Sequence, residues 1–117
     1  MDRKHTVKKN EEFKVAINKG KRKHCPYFSM YKYFNRNNEN YRFGISVSKK
    51  LGNAVTRNRA KRIMREIIHK YKDYYQNIED YIIIIRKDFI DASFSNIDEA
   101  FINILNALNK GASNEKK

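Results

Sequence analysis

Tryptophan is absent from this chain of 117 residues, and cysteine and proline occur once each, as Cys25 and Pro26. A single cysteine excludes an internal disulfide and fits a reducing compartment. Next to His24 it lacks the second thiol of a metal knuckle, and His5 and His69 stand at no ligand-like spacing, so no protein-held metal is expected. No apolar run approaches the ~18 residues of a membrane-spanning helix. The opening MDRKHTVKKNEEF has no apolar signal core, so a cytoplasmic protein is expected. There is no glycine-rich phosphate loop and no Ser/His/Asp set. The polypeptide carries no evident catalytic constellation of its own.

Acids are the other shortage. They number 13 against 26 lysines and arginines, for a net charge of +13 and a pI near 9.9. Such an imbalance points to a polyanionic partner, nucleic acid first and an acidic membrane surface second. The charge is uneven. Residues 1–24 hold nine basic and three acidic groups, while residues 73–117 hold five basic and eight acidic ones. Residues 49–72 hold nine lysines or arginines and one acid, Glu66. The first two thirds of the chain therefore carry the binding charge.

The length and the 40% hydrophobic content predict one folded domain over residues 1–117, with 1–9 and 111–117 extended or flexible. Asn10 is a candidate N-cap for a first helix, with Glu11 and Glu12 in the first turn. Phe13, Ala16 and Ile17 give that helix one apolar side, and Gly20 ends it as a C′ residue. Residues 21–23 are a basic run. Residues 25–34 read as an aromatic strand, with Tyr27, Ser29, Tyr31 and Tyr33 on one face and Phe28, Met30, Lys32 and Phe34 on the other. NRNNEN at 35–40 reads as a polar hairpin loop leading to a second strand over 41–49. There Phe43, Ile45 and Val47 alternate with Arg42, Gly44, Ser46 and Ser48. One face is thus buried, and the other is small and polar enough to let a ligand approach the backbone.

A Gly52-Asn53 turn then opens a long helix, starting between Asn53 and Thr56 and running to Tyr71. Ala60, Ile63, Met64, Ile67, Ile68 and Tyr71 form its apolar stripe. Arg57, Lys61, Arg65 and His69, flanked by Asn58 and Arg62, form a basic stripe centred roughly 140° away. Residues 73–79 read as a polar connection, and 81–85 as a strand buried on both faces. Ser95 and Asp98 resemble a capping box. Ile97, Phe101, Ile104, Leu105 and Leu108 make the stripe of a last helix that Gly111 ends. The order helix, strand, strand, helix, strand, helix predicts an α+β fold with two helices on one side of a small mixed sheet.

Basic side chains on neighbouring helical turns repel one another, whereas a merely solvated helix would alternate Glu with Lys. Phosphates relieve that repulsion, and arginine can grip them through two parallel hydrogen bonds or stack on bases. Phe13, Tyr27, Tyr31 and Tyr33 either fill a core or, beside basic groups on a sheet face, form a stacking platform for single-stranded bases. A small ribosomal RNA-binding protein explains the charge but not the exposed aromatic strand. A membrane-surface protein would turn Ile63, Met64, Ile67 and Ile68 to lipid, although the core needs them.

Residues 46–66, SVSKKLGNAVTRNRAKRIMRE, resemble the signature of the bacterial ribonuclease P protein subunit. The Phe-bearing first helix ending in Lys-Gly, the aromatic strand, the DYIIIIR strand and the final helix extend the resemblance over nearly the whole chain. It implies an endoribonuclease that removes the 5′ leader of precursor tRNA as a ribonucleoprotein. In that assembly a catalytic RNA subunit holds the active site and uses Mg²⁺, and one small basic protein per RNA is accessory. The resemblance implies docking on the RNA subunit through Lys49, Lys50, Arg57, Arg59, Lys61, Arg62 and Arg65. It also implies an extended leader held between sheet and first helix at Phe13, Ile17, Tyr31, Ser46, Ser48 and Asn58. Ile17 stands where many members carry a second aromatic, so it packs without stacking. No catalytic or metal-binding residue in the protein is implied. The implied fold is a two-layer α/β sandwich with a mixed four-stranded sheet, of the kind also found in a ribosomal protein domain. Its β-α-β crossover is left-handed, against the general rule. The fourth strand then falls in the basic segment from Gly20 to His24.

Overall fold

In the computed structural model of the chain, residues 3–114 are described. The architecture follows from residues 79–85, where four consecutive isoleucines leave no polar face to offer water. Such a segment belongs in the middle of a sheet. It forms β4 (Glu79–Ile85), buried at every position but Ile84. The strand order is β1 (Lys21–His24), β2 (Phe28–Phe34), β4, then β3 (Arg42–Ser46). β2 runs antiparallel to β1 and to β4, whereas β3 is parallel to β4. The fourth strand does form in the basic segment.

The position of β4 corrects the hairpin expected at 35–40, because β2 and β3 are not neighbours. The turn chemistry there is real: the Asn35 side-chain oxygen accepts the Asn37 N–H at 3.1 Å. Local turn residues cannot report that a later, doubly buried strand takes the place between. The strands are also shorter than expected, with Cys25 outside β2 and residues 47–49 outside β3.

The helices occupy both faces. α2 (Ala54–Lys70) and α3 (Phe94–Asn114) cover the face bearing Phe28, Met30, Phe43, Tyr81, Ile83 and Ile85. Ala60, Met64, Ile67 and Ile68 from α2 meet Ile97, Phe101, Leu105 and Leu108 from α3 there. α1 (Asn10–Lys19) lies on the opposite face, where Val7, Ala16 and Ile82 are buried and Phe13, Ile17, Tyr31, Tyr33 and Ile84 pack around them.

Several ends differ from expectation. The cap of α1 is Lys9, not Asn10, and Glu12 reaches back to the Lys9 N–H at 3.4 Å. Gly20 is extended rather than left-handed; a side chain there would collide with the carbonyl oxygens of Ala16 and Lys32. Residues 3–7 are not a free arm. Arg3–His5 form a 3-10 turn, and Val7 is buried with its N–H donating to the Phe43 carbonyl at 3.0 Å. Residues 1–2 and 115–117 of the expected flexible ends lie outside the described residues. α3 begins at Phe94 with the Ser93 hydroxyl accepting the Asn96 N–H at 3.2 Å, and it continues through Gly111. Asp98 is freed from capping and joins α3 to α2 by accepting from Lys70 Nζ and from the Tyr71 hydroxyl. The connection at 73–79 hides Tyr75, whose hydroxyl donates to the Ile68 carbonyl at 2.8 Å. It also hides Glu79, which pairs with buried Lys32 at 2.9 Å.

Candidate nucleic-acid interface

The junction between β3 and α2 is specified residue by residue. The Ser48 hydroxyl accepts the Lys50 N–H at 3.2 Å and starts a 3-10 turn, Lys49–Leu51. Gly52 ends that turn at φ 150°, a backbone region that is essentially glycine's alone. The Asn53 side chain then accepts the Thr56 N–H at 2.9 Å and caps α2. Lys49 and Lys50 are left exposed on the turn.

On α2 the side chains of Asn58, Arg59, Arg62 and Arg65 are exposed, and those of Arg57 and Lys61 are half-buried. The ion pairs among the described residues use Lys32, Arg42 and Lys70 and none of these groups. Arg57 Nε is buried with no hydrogen-bond partner among the described residues. A buried donor left unpaired costs free energy, so an acceptor arriving there would recover it.

Beside this helix runs a trough. Thr6, Val7, Phe13, Phe43, Gly44, Ile45, Lys61 and Arg65 line a cavity of about 260 Å³. A second cavity of about 440 Å³ is lined by Asn10, Phe13, Lys14, Ile45, Ser46, Val47 and Lys61. Phe13, Ile45 and Lys61 are common to both, so α1, β3 and α2 bound one continuous depression. Phe13 rests directly on Gly44: a Cβ at that position would lie 2.5 Å from the Phe13 Cζ. The strand register then sets the floor, with Gly44 beside Ile82 and Tyr31, and Ser46 beside Ile84 and Ser29.

The wall is fixed by a network that periodicity does not reveal. Arg42 donates Nε and Nη2 to the two oxygens of buried Asp80, at 2.9 and 2.8 Å, and Nη1 to Glu12 at 2.8 Å. Asn35 and Asn38 also donate to Asp80. The hydrogen bond to Asp80, helped by that to Glu12, holds the Arg42 pKa above its ordinary value despite partial burial. The first turn of α1 is thereby tied to β3 and β4. Arg42 read as one more cation on an open strand face; only the fold shows that Asp80 and Glu12 consume it.

Phe13, Ile17 and Tyr31 come together in one cluster under α1, and Ser46 lines the trough beside Phe13. Ser48 stands apart, in the turn. Asn58 is exposed on α2, one turn before Lys61 and Arg62, and lines neither cavity. Lys61 and Arg65 face the trough, whereas Arg59 borders a groove on the other flank with Ile63, Phe89 and Ile90. No group of three His, Cys, Asp or Glu able to hold a metal ion occurs among the described residues. Among those residues, no helix is long and apolar enough to cross a membrane.

Fold and surface thus define a small basic α+β protein whose positive helix borders a trough over a sheet. The chain belongs to the ribonuclease P protein family: the family model described as Ribonuclease P matches residues 1–109. It is 38% identical over 104 residues to the ribonuclease P protein component of Bacillus cereus (strain G9842), covering 89% of this chain and 90% of that one. The component of Bacillus anthracis (strain CDC 684) is likewise 38% identical, covering 89% and 87%. Among solved structures, the RNase P protein of Staphylococcus aureus superposes with a TM-score of 0.80 at 35% identity, covering 88% of this chain and 94% of that one. That of Thermotoga maritima gives 0.75 at 28% identity, covering 86% and 94%.

Proposed function

We propose that this chain works as the accessory protein of an RNA-catalysed ribonuclease P, binding the catalytic RNA subunit and the 5′ leader of precursor tRNA. The carrying observation is the exposed face of α2, where Glu66 is the one acid among Arg59, Arg62 and Arg65, lying directly beside the trough. Lys49, Lys50, Arg57, Arg59 and Arg62 serve the RNA subunit, where each phosphate neutralised releases counterions. Phe13, Ile17, Tyr31 and Ser46 receive the leader as an extended single strand, with Lys61 and Arg65 along its phosphates. Asn58 sits between the two groups, and Ser48 contributes by shaping the turn.

Endonucleolytic removal of the leader is then the work of the ribonucleoprotein, one protein per RNA, in the bacterial cytoplasm. Mg²⁺ held by the RNA supplies the hydrolytic chemistry. The protein's own groups bind, neutralise and orient. By lowering phosphate repulsion they favour divalent ions at an RNA-built site without ligating one.

The test mixes the chain with ribonuclease P RNA and a precursor tRNA at low Mg²⁺. Cleavage at the leader junction should rise with added protein, and unchanged cleavage would defeat the reading. Protein alone should cut nothing; cleavage without RNA would overturn the accessory role.

A further inference from the structure

Edge strand β1 reads Lys-Arg-Lys-His, and nothing above uses it. Lysines on an edge strand are a common guard against strand-to-strand aggregation. That explains charge on β1 but not where the register puts it. Arg22 stands opposite Tyr31 and His24 opposite Ser29. Tyr31 pairs with Ile82 and Ser29 with Ile84, and these continue to Gly44 and Ser46 of β3. Side chains alternate along a strand, so these rows share the sheet face that carries α1. Two rows therefore run from the trough floor to β1, one ending on Arg22 and the other on His24. Both residues are exposed, and neither takes part in an ion pair among the described residues. α1 overlies the first row through Phe13, Ile17 and Tyr31. Gly20 lets the chain turn from α1 into β1 against the Lys32 backbone. The second row, Ser46, Ile84, Ser29 and His24, runs along the sheet beside the first, with Ser29 buried, Ile84 half-buried and exposed side chains at its two ends.

We propose that Arg22 and His24 form a distal subsite for phosphates of a long leader, beyond the stretch held at Phe13 and Ser46. This rests on the leader-binding reading given above. From β3 to β1 the second row crosses three inter-strand steps of about 4.8 Å, roughly 14 Å in all. An extended single strand spans that with a few nucleotides. Only leaders long enough to reach β1 gain from it.

The holoenzyme, assembled with ribonuclease P RNA, is titrated with two precursor tRNAs, one with a leader of a few nucleotides and one with a long leader. Arg22→Ala/His24→Ala should bind the long-leader precursor about threefold to fivefold more weakly, the scale of exposed ion pairs. It should bind the short-leader precursor like the parent chain. Its salt slope for the long leader should fall by about 0.7 for the arginine's phosphate. Lys23→Ala, which changes charge on the same strand but the other face, should leave both affinities unchanged. The proposal is overturned by equal losses for the two leaders, by no loss for either, or by an equal loss in Lys23→Ala. Failure of the parent chain to enhance cleavage would instead refute the functional reading beneath it. Both altered side chains are exposed on an edge, so an unfolding midpoint matching the parent confirms that the variant is folded.

Discussion

Gly44 is where the trough is most sensitive to a single methyl group. Alanine there would put Cβ 2.5 Å from Phe13 Cζ, 2.8 Å from its Cε1 and 3.0 Å from Ile82 Cδ1. Carbon pairs rest at about 3.5–4.0 Å, so the ring must retreat by roughly 1 Å. Overpacking in a tight core costs about 1–3 kcal/mol. Phe13 is only half-buried and can swing outward, which places Gly44→Ala near the lower end, at about 1 kcal/mol. Without the clash, replacing a strand glycine by alanine is worth roughly 0.5–1 kcal/mol in the stabilising direction. In a Phe13→Ala background the same substitution should therefore be neutral or stabilising. Urea unfolding of the parent, the two single variants and the double variant closes the cycle, with a coupling of at least ~1 kcal/mol expected between contacting residues. The same four proteins, assembled with RNA, should show that each single variant weakens precursor tRNA relative to mature tRNA and that the double variant is no worse. If Gly44→Ala costs as much without Phe13 as with it, the ring is not what the glycine accommodates, and the description of the floor fails.

Removing Arg42 should destabilise the fold by about 3 kcal/mol, because Asp80 is left buried with only the Asn35 and Asn38 amides. Urea unfolding of Arg42→Ala measures it, and a loss below about 1 kcal/mol would mean the network is no clamp. Arg62→Ala should flatten the salt dependence of RNA-subunit binding by roughly 0.7–0.9 in logarithmic slope for each phosphate lost, and an unchanged slope would remove that contact. Asp98→Asn tests the link between α2 and α3 through pH. Burial raises the carboxyl's pKa, but the hydrogen bonds from Lys70 and Tyr71 outweigh it and hold Asp98 below the ordinary 3.8. The Asp98 hydrogen bond, against some desolvation, lifts Lys70 above 10.5. A lowered carboxylate stabilises above its unfolded pKa and loses that stability as pH falls through its folded one. A raised amine stabilises below its unfolded pKa and loses that as pH rises through its folded one. The stability gap between parent and Asp98→Asn should thus be level from about pH 4 to 10 and close at both extremes; a gap independent of pH would refute the ionic link.

Elements with one strong period were legible in the sequence. The α2 stripe, the α3 stripe and the all-apolar β4 each announce how they bury, and each forms where expected within a few residues. What stayed hidden depended on partners distant in the chain. Nothing local to residues 35–40 says that β4 will separate the flanking strands. Asp80 and Glu79 looked like the polar margin of an apolar strand, yet both are buried because Arg42 and Lys32 meet them across the sheet. β1 carries no apolar alternation at all, so only the family resemblance pointed to a strand there. The basic helix was legible as charge. The split that puts Lys61 and Arg65 on the trough and Arg59 on the opposite flank needed the fold.

That split bears on how a strand and a larger RNA would be handled together. A flexible single strand loses conformational freedom on binding, and a preformed surface limits the cost to the ligand. Here the surface is fixed on three sides: Arg42 ties α1 to the sheet, Val7 seals the β3 edge at Phe43, and the Ser48–Gly52–Asn53 junction sets where α2 begins. α2 is both a wall of the trough and the carrier of the exposed arginines. Its trough side cannot rotate without rotating Arg59 and Arg62 as well. Under the proposed function, an RNA docked on those arginines would meet the leader at an angle the protein dictates. The short β3–α2 junction, more than the amount of charge, is the part of the chain that sets this angle.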